Sequence, residues 1–143
     1  MLLTVANLKG GSGRTTTSLM LAQVASEHGT RVRVVDADPL GTAATTAKYA
    51  TTEGDPLPFP VDYVPIYEAH AEKYPLIDRI LNSSSQHDLT IIDAPSHSPA
   101  TTRILSIVSD FPNTGSGYDN LGLSRTGGGQ TSPLFIAQQV IVK

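Results

Sequence analysis

The chain has 143 residues, 39% apolar and 16% charged, which suits one globular domain with a sizeable core and excludes two ordinary domains or a disordered chain. A net charge of −3 supplies no global positive field to draw it onto DNA or an anionic membrane. With no cysteine there is neither a disulfide framework nor a thiolate metal site, a composition compatible with a reducing cytoplasm.

Leu2 to Asn7 is apolar and β-prone and stops at glycines, which predicts a buried strand. It lacks a basic leader and is too short for a signal peptide or membrane span, so a cytoplasmic location is expected. Thr15 to His28 contains no proline or glycine, and Leu21, Val24, Ala25 and His28 recur at helical spacing, with Gly29 suited to end the helix. Arg31 to Val35 is a second strand, closing a right-handed βαβ unit with an expected parallel pair. Thr42 to Thr52 reads as helix, and Glu53 to Pro60 as loop, broken by Gly54 and three prolines. Val61 to Ile66 reads as a short strand, Glu68 to Leu81 as a helix that Pro75 interrupts, Leu89 to Ile92 as a buried strand and Thr101 to Val108 as helix. The alternation predicts an α/β fold, a parallel sheet flanked by helices.

The character changes after Asp110. Residues 111–143 carry only Asp119, Arg125 and Lys143 as charges and hold six of the twelve glycines. The division expected is a nucleotide-binding domain over 1–110 and an irregular glycine-rich tail over 111–143, with one added strand available within Pro133 to Val142. His28, His70, His87 and His97 stand at no metal-ligand spacing and read as surface or helix-end residues.

The chemistry concentrates in Leu8-Lys9-Gly10-Gly11-Ser12-Gly13-Arg14-Thr15-Thr16. Glycines between a strand and a helix let the backbone curl so that several N–H groups point at one centre, and the helix start favours an anion. Thr15 takes the Ser/Thr position of the phosphate-loop pattern, whose hydroxyl ligates Mg²⁺ beside the β- and γ-phosphates. The general pattern asks for glycine at the Leu8 position and lysine at the Arg14 position. Asp36, Asp38 and Asp93 each follow an apolar strand, and ligands in open parallel sheets bind at such strand ends.

The segment Lys9 to Thr16 resembles the deviant phosphate loop of the ParA/MinD family of partitioning and positioning ATPases, with Lys9 as the signature lysine ahead of two glycines. The resemblance implies that Lys9 reaches the nucleotide of a partner subunit in an ATP-dependent homodimer. Val34 to Gly41 resembles the family's first switch, with Leu40 where glutamine is frequent; by that resemblance Asp38 positions the attacking water and Asp36 supports the metal. Ile91 to Pro95 resembles its magnesium-binding strand end, which makes Asp93 the Mg²⁺ partner and Ser96 to Ser98 the second switch. The ligands implied are ATP and Mg²⁺, held by Lys9, Gly10, Gly11, Ser12, Gly13, Arg14, Thr15 and Thr16. The site expected to act on ATP comprises Lys9, Arg14 and Asp38, with Thr15, Asp36 and Asp93 at the metal.

Two departures stand out. Arg14 replaces the family's phosphate-loop lysine with a longer, planar fork, so retained binding and slowed hydrolysis are expected. After Asp110, no apolar strand follows where the family has one, which reads as a shortened or frame-disrupted member, incomplete at its C-terminal end; Phe135 to Val142 is the segment available beside the phosphate-loop strand. The leading expectation is a ParA-like ATPase switch for DNA partitioning or cargo positioning, with a ParB-like centromere-binding partner and no membrane anchor. In the family the ATP-bound dimer also binds DNA non-specifically, although Arg31, Arg33, Arg79 and Arg103 are scattered and read as solvated surface. The alternatives are a nucleotide-binding regulatory module with little hydrolysis because of Arg14, or a remnant without function.

Overall fold

The computed structural model describes residues 1–7, 11–67, 78, 80, 86–96, 98 and 105, together with the backbone of 135–139. The chain-order elements are β1 (Leu2–Ala6), α1 (Arg14–Glu27), β2 (Val32–Asp36), α2 (Thr42–Thr52), β3 (Val61–Tyr63), β4 (Leu89–Asp93) and β5 (Phe135–Gln139). The expected helices over Glu68 to Leu81 and Thr101 to Val108 lie for the most part outside the described residues.

The strands form one sheet in the order β3-β2-β4-β1-β5. The first four are mutually parallel, as the α/β reading requires, and β5 runs antiparallel along β1, pairing Leu2 with Gln139 through to Ala6 with Phe135. The expected pairing of the first two strands is corrected. β4 lies between them, with Ile91 facing Leu3 on one side and Val34 on the other. Its continuous Leu-Thr-Ile-Ile run can bury both faces and both edges, which makes it the natural centre of a parallel sheet.

Alternation along the strands divides the core in two. Val5, Val32, Val34 and Ile91 face Ala22 of α1, with Leu3, Leu19, Leu21 and Ala25 packed at the margin. Leu2, Ala6, Val35 and Ile92 face the opposite way, against Ile66, Ile80 and Leu105. Each fully buried aliphatic side chain here contributes about 1.5–3 kcal/mol.

The buried face of α1 differs from the expected one. Ser18 and Ala22 are buried, whereas Val24 and Met20 are exposed. Small side chains let the helix axis approach the sheet, and that close approach fixes where its N-terminus meets the strand ends. Gly29, at φ +80°, ends the helix as expected, and Thr30 N–H returns to Ala25 O at 3.0 Å. The helix predicted over Thr42 to Thr52 has those bounds. β3 stops at Tyr63 rather than Ile66, although Val64 and Ile66 still donate to Asp36 O and Ala37 O.

Arg33 is also corrected. It is buried rather than solvated, and its guanidinium pairs with Asp62 at 3.2 Å. A strand residue on the sheet's inner face has no route to solvent except along its own stem, so the charge is met by the neighbouring strand. Arg31 is exposed and makes a two-pronged contact with Asp88, at 2.9 and 2.7 Å, which holds the Asp88 carboxyl down at about 2.

Candidate functional site

β1 leads into the glycine-rich loop. Leu8, Lys9 and Gly10 lie outside the described residues; Gly11 onward is described. Gly13 stands at the N-cap of α1 with φ +80°, a conformation in which an L side chain would be strained. No side chain among the described residues caps this end. The first helical bond is Thr17 N–H to Gly13 O at 2.8 Å, so the amides of the preceding turn come before the helical ladder. The Ser12 hydroxyl is buried with no hydrogen-bond partner among the described residues.

Asp36 and Asp93 occupy the last positions of β2 and β4 and are register partners. The Asp93 carboxylate accepts a 2.7 Å hydrogen bond from the Thr15 hydroxyl and a 3.3 Å bond from that of Ser18. These bonds join the first turn of α1 to the end of β4. Burial pushes the Asp93 carboxyl up to about 6; the Thr15 hydrogen bond opposes that shift and the nearby Asp36 charge adds to it. Burial likewise raises the Asp36 carboxyl, against hydrogen bonds from the backbone. Its two oxygens accept N–H groups from Asp38 at 3.2 Å and Ala44 at 2.9 Å, so Asp36 braces the loop between β2 and α2.

Arg14 is buried beneath this loop. Its guanidinium donates to Asn7 O at 2.7 Å and lies 3.8 Å from the Asp38 carboxylate. The other Asp38 oxygen accepts Leu40 N–H at 3.0 Å, an Asx turn that fixes the side chain.

Arg14, Thr15, Asp36, Asp38 and Asp93 are thus gathered at the carboxyl ends of β1, β2 and β4. Thr16 is exposed in the first turn of α1, and Ser96 and Ser98 are buried just past β4. Buried carboxylates beside a hydroxyl suit a hard, oxygen-seeking cation. Among the described residues no three acidic or histidine side chains cluster as a self-sufficient metal cage. Two participants were not anticipated from sequence. Ser18 lies three residues beyond Thr15 and so on the same helix face, a signal that was available. The Asn7 carbonyl carries no side-chain signal at all. No helix among the described residues is long and apolar enough to cross a membrane.

Residues 1–97 match the family model described as AAA domain. The chain is 34% identical over 111 residues to the maintenance of carboxysome distribution protein A of Halothiobacillus neapolitanus, covering 76% of this chain and 47% of that protein. It is 34% identical over 122 residues to the chromosome-partitioning ATPase Soj of Thermus thermophilus, covering 71% of this chain and 49% of that one. The chain therefore spans about half the length of the curated relatives it matches. Among solved structures, cobyrinic acid a,c-diamide synthase from Mycobacterium smegmatis, with ADP and magnesium bound, superposes with a TM-score of 0.52 at 25% identity, over 67% of this chain and 51% of that one. The BceF tyrosine kinase domain shares the fold, with a TM-score of 0.51 at 15% identity over 75% of this chain and 52% of that one. With the family model matched from the first strand past Asp93 and both partitioning-type relatives aligned over most of the chain, this protein belongs to the ParA/MinD family of P-loop ATPases.

Proposed function

We propose that the chain is an ATP-dependent switch for partitioning DNA or positioning another cargo, acting in the cytoplasm as a homodimer that binds ATP and Mg²⁺ and hydrolyses the nucleotide. One observation carries this reading: the 2.7 Å contact between Thr15 and Asp93 brings the phosphate loop and the strand-end carboxylates to a single point. The names of the two curated relatives, one for carboxysome distribution and one for chromosome partitioning, support the cargo-moving role.

The residues fit the nucleotide and the metal. The start of α1 and the Ser12 hydroxyl, neither of which has a side-chain partner among the described residues, offer donors to phosphate oxygens. The raised Asp93 carboxyl marks a buried negative charge that a cation would relieve. In the proposed mechanism Thr15 and Asp93 would hold the metal, with Asp36 supporting the site. Magnesium, when bound, spreads the charge that develops on the phosphoryl oxygens. Gly10, Gly11, Ser12, Gly13 and Thr16 cradle the phosphates, Asp38 orients the attacking water, and Arg14 supplies positive charge beside the phosphates. Lys9 reaches across to the nucleotide of the second subunit, so ATP binding and dimerisation are one event. Residues 1–110 form the nucleotide-binding domain, and 111–143 form a tail that adds β5. A ParB-like partner accelerates hydrolysis, and the ATP-bound dimer binds DNA without sequence preference.

The test is a thermal-shift titration with ATP, ADP and a non-hydrolysable analogue, each with and without Mg²⁺, alongside light scattering for dimerisation. Ligand at 100 times its dissociation constant stabilises by about 2.7 kcal/mol. Saturating Mg²⁺–ATP without a shift would sink the reading, and an ATP-dependent dimer in Lys9→Ala would remove Lys9 from it.

A second reading has its own observation. The Arg14 guanidinium is engaged by Asn7 O and faces Asp38. If that arrangement persists with nucleotide bound, the chain is a regulatory module that binds ATP and hydrolyses almost none. ATP affinity without turnover, even with a partner present, distinguishes it.

A further inference from the structure

The loop carrying Asp38 is held from two sides. On the inner side, Asp36 accepts the Asp38 and Ala44 amides. On the outer side stands Tyr63, the last residue of β3 and the register partner of Asp36. Its hydroxyl donates to Pro39 O at 2.8 Å. Its ring lies against Gly41, where an added Cβ would sit 3.1 Å from the ring's Cε2. Gly41 has φ +64°, caps α2, and donates its N–H to Asp38 O at 2.9 Å. The turn Asp38-Pro39-Leu40-Gly41 is therefore closed by its own backbone, gripped at Pro39 and Gly41 by one tyrosine, and aimed so that Asp38 faces Arg14. β3 is fixed to β2 beyond its own end by the Val64 and Ile66 amides, so Tyr63 works from a rigid base.

We propose that Tyr63 is a positioning residue for Asp38: its hydroxyl and ring clamp the Pro39–Gly41 turn and thereby set the direction of the Asp38 carboxylate toward the phosphate loop. The catalytic part of this inference rests on the ATPase reading; the clamp itself does not. Two structural details fit a clamp rather than a surface ring. Glycine at 41 suits the left-handed backbone, at φ +64°, and leaves the ring room that a Cβ 3.1 Å from Cε2 would crowd. The Tyr63 hydroxyl is also committed to Pro39 O, 24 residues away in the chain.

The test compares the full-length wild type with Tyr63→Phe, which loses only the hydroxyl, and Tyr63→Ala, which loses the ring as well. Backbone amide exchange is read at Leu40, Gly41 and Ala44 without nucleotide, with Ala94 N–H, which bonds Val5 O, as the internal control for global stability. Losing one neutral hydrogen bond shifts a local opening equilibrium by about fivefold. Exchange at the three loop amides should rise by about that factor in Tyr63→Phe and further in Tyr63→Ala, with Ala94 unchanged. In the same variants kcat for ATP should fall in the same order while KM and ADP affinity stay near wild type. Unchanged loop exchange in Tyr63→Ala overturns the clamp. Accelerated exchange with an unchanged kcat overturns the positioning role. Wild-type turnover no greater than that of Asp38→Ala overturns the ATPase reading and the positioning of catalysis with it, while the exchange data decide the clamp on their own.

Discussion

Asp36 and Asp93 are register partners at the ends of adjacent parallel strands, yet their carboxylates are held by different kinds of donor. Asp36 accepts backbone amides from Asp38 and Ala44, whereas Asp93 accepts hydroxyls from Thr15 and Ser18. An amide N–H can only donate. A hydroxyl can rotate and accept instead.

Asparagine should therefore be received oppositely at the two positions. In Asp36→Asn, the new side-chain NH₂ faces a donor, and one buried amide loses its acceptor at a cost of about 1–3 kcal/mol. In Asp93→Asn, a buried charge disappears while Thr15 and Ser18 reorient. Thermal unfolding of the nucleotide-free chain near neutral pH should give a lower midpoint for Asp36→Asn and an equal or higher one for Asp93→Asn. Equal losses in both variants would refute the distinction.

Asp93 also predicts a pH dependence. Its folded value, about 6, lies above the ordinary 3.8, so the protonated form is favoured in the folded chain. The stabilisation from this group is complete below the unfolded value and is lost as pH rises through about 6. A shift of roughly two units corresponds to about 3 kcal/mol at most. Metal needs the ionised form, so binding should run the other way. The Mg²⁺-dependent part of the ATP thermal shift should shrink by about tenfold in affinity per unit as pH falls below about 6. Asp93→Asn should have a small Mg²⁺ response without that pH slope; an unaltered slope would remove Asp93 as its source.

Thr15 separates hydroxyl chemistry from helix propensity. Thr15→Ser keeps the donor to Asp93, and Thr15→Ala removes it together with the proposed metal ligand. A hydrogen bond to a charged group contributes about 1.5–3 kcal/mol, so Thr15→Ala should weaken Mg²⁺–ATP binding by about 10- to 100-fold. Thr15→Ser should stay within a few-fold of wild type. Calorimetric titration with and without Mg²⁺ reads both, and a loss of the same size without Mg²⁺ would assign the effect to the helix start rather than the metal.

Much of this was legible in the sequence because local rules and tertiary demands coincide there. α2 needed no correction, since loops rich in glycine or proline bound it on both sides. The apolar runs of β2 and β4 end one residue before Asp36 and Asp93, so hydrophobicity alone marks each strand one residue short. In the sheet the ladder continues through both aspartates, and that continuation places them side by side. Val24 is apolar yet exposed on α1, and the smaller Ser18 and Ala22 are the side chains buried instead. The grip of Tyr63 on Pro39 links residues 24 positions apart through a carbonyl, which no side-chain pattern encodes. The position of β4 between β1 and β2 is likewise a long-range choice, made by an apolar strand that covers both its neighbours.

The remaining prediction concerns Arg14. Its guanidinium reaches Asn7 O at 2.7 Å and Asp38 at 3.8 Å, and both contacts draw it toward the strand ends. A planar fork held by a carbonyl on one side and a carboxylate on the other must break at least one contact before it can follow a phosphoryl group. Lysine has a single compact ammonium and fewer fixed donor directions, so it can transfer to phosphate oxygens with less rearrangement. Arg14→Lys should therefore raise kcat for ATP by about tenfold, with ATP affinity changed by much less, since the charge is retained. Asp38→Asn offers a control: it weakens the pull on Arg14 but also removes the proposed water-orienting carboxylate, so its turnover should fall. Steady-state phosphate release with saturating Mg²⁺ measures all three proteins. A wild-type rate equal to that of Arg14→Lys means the arginine already reaches the phosphates, and the regulatory-module reading loses its structural basis.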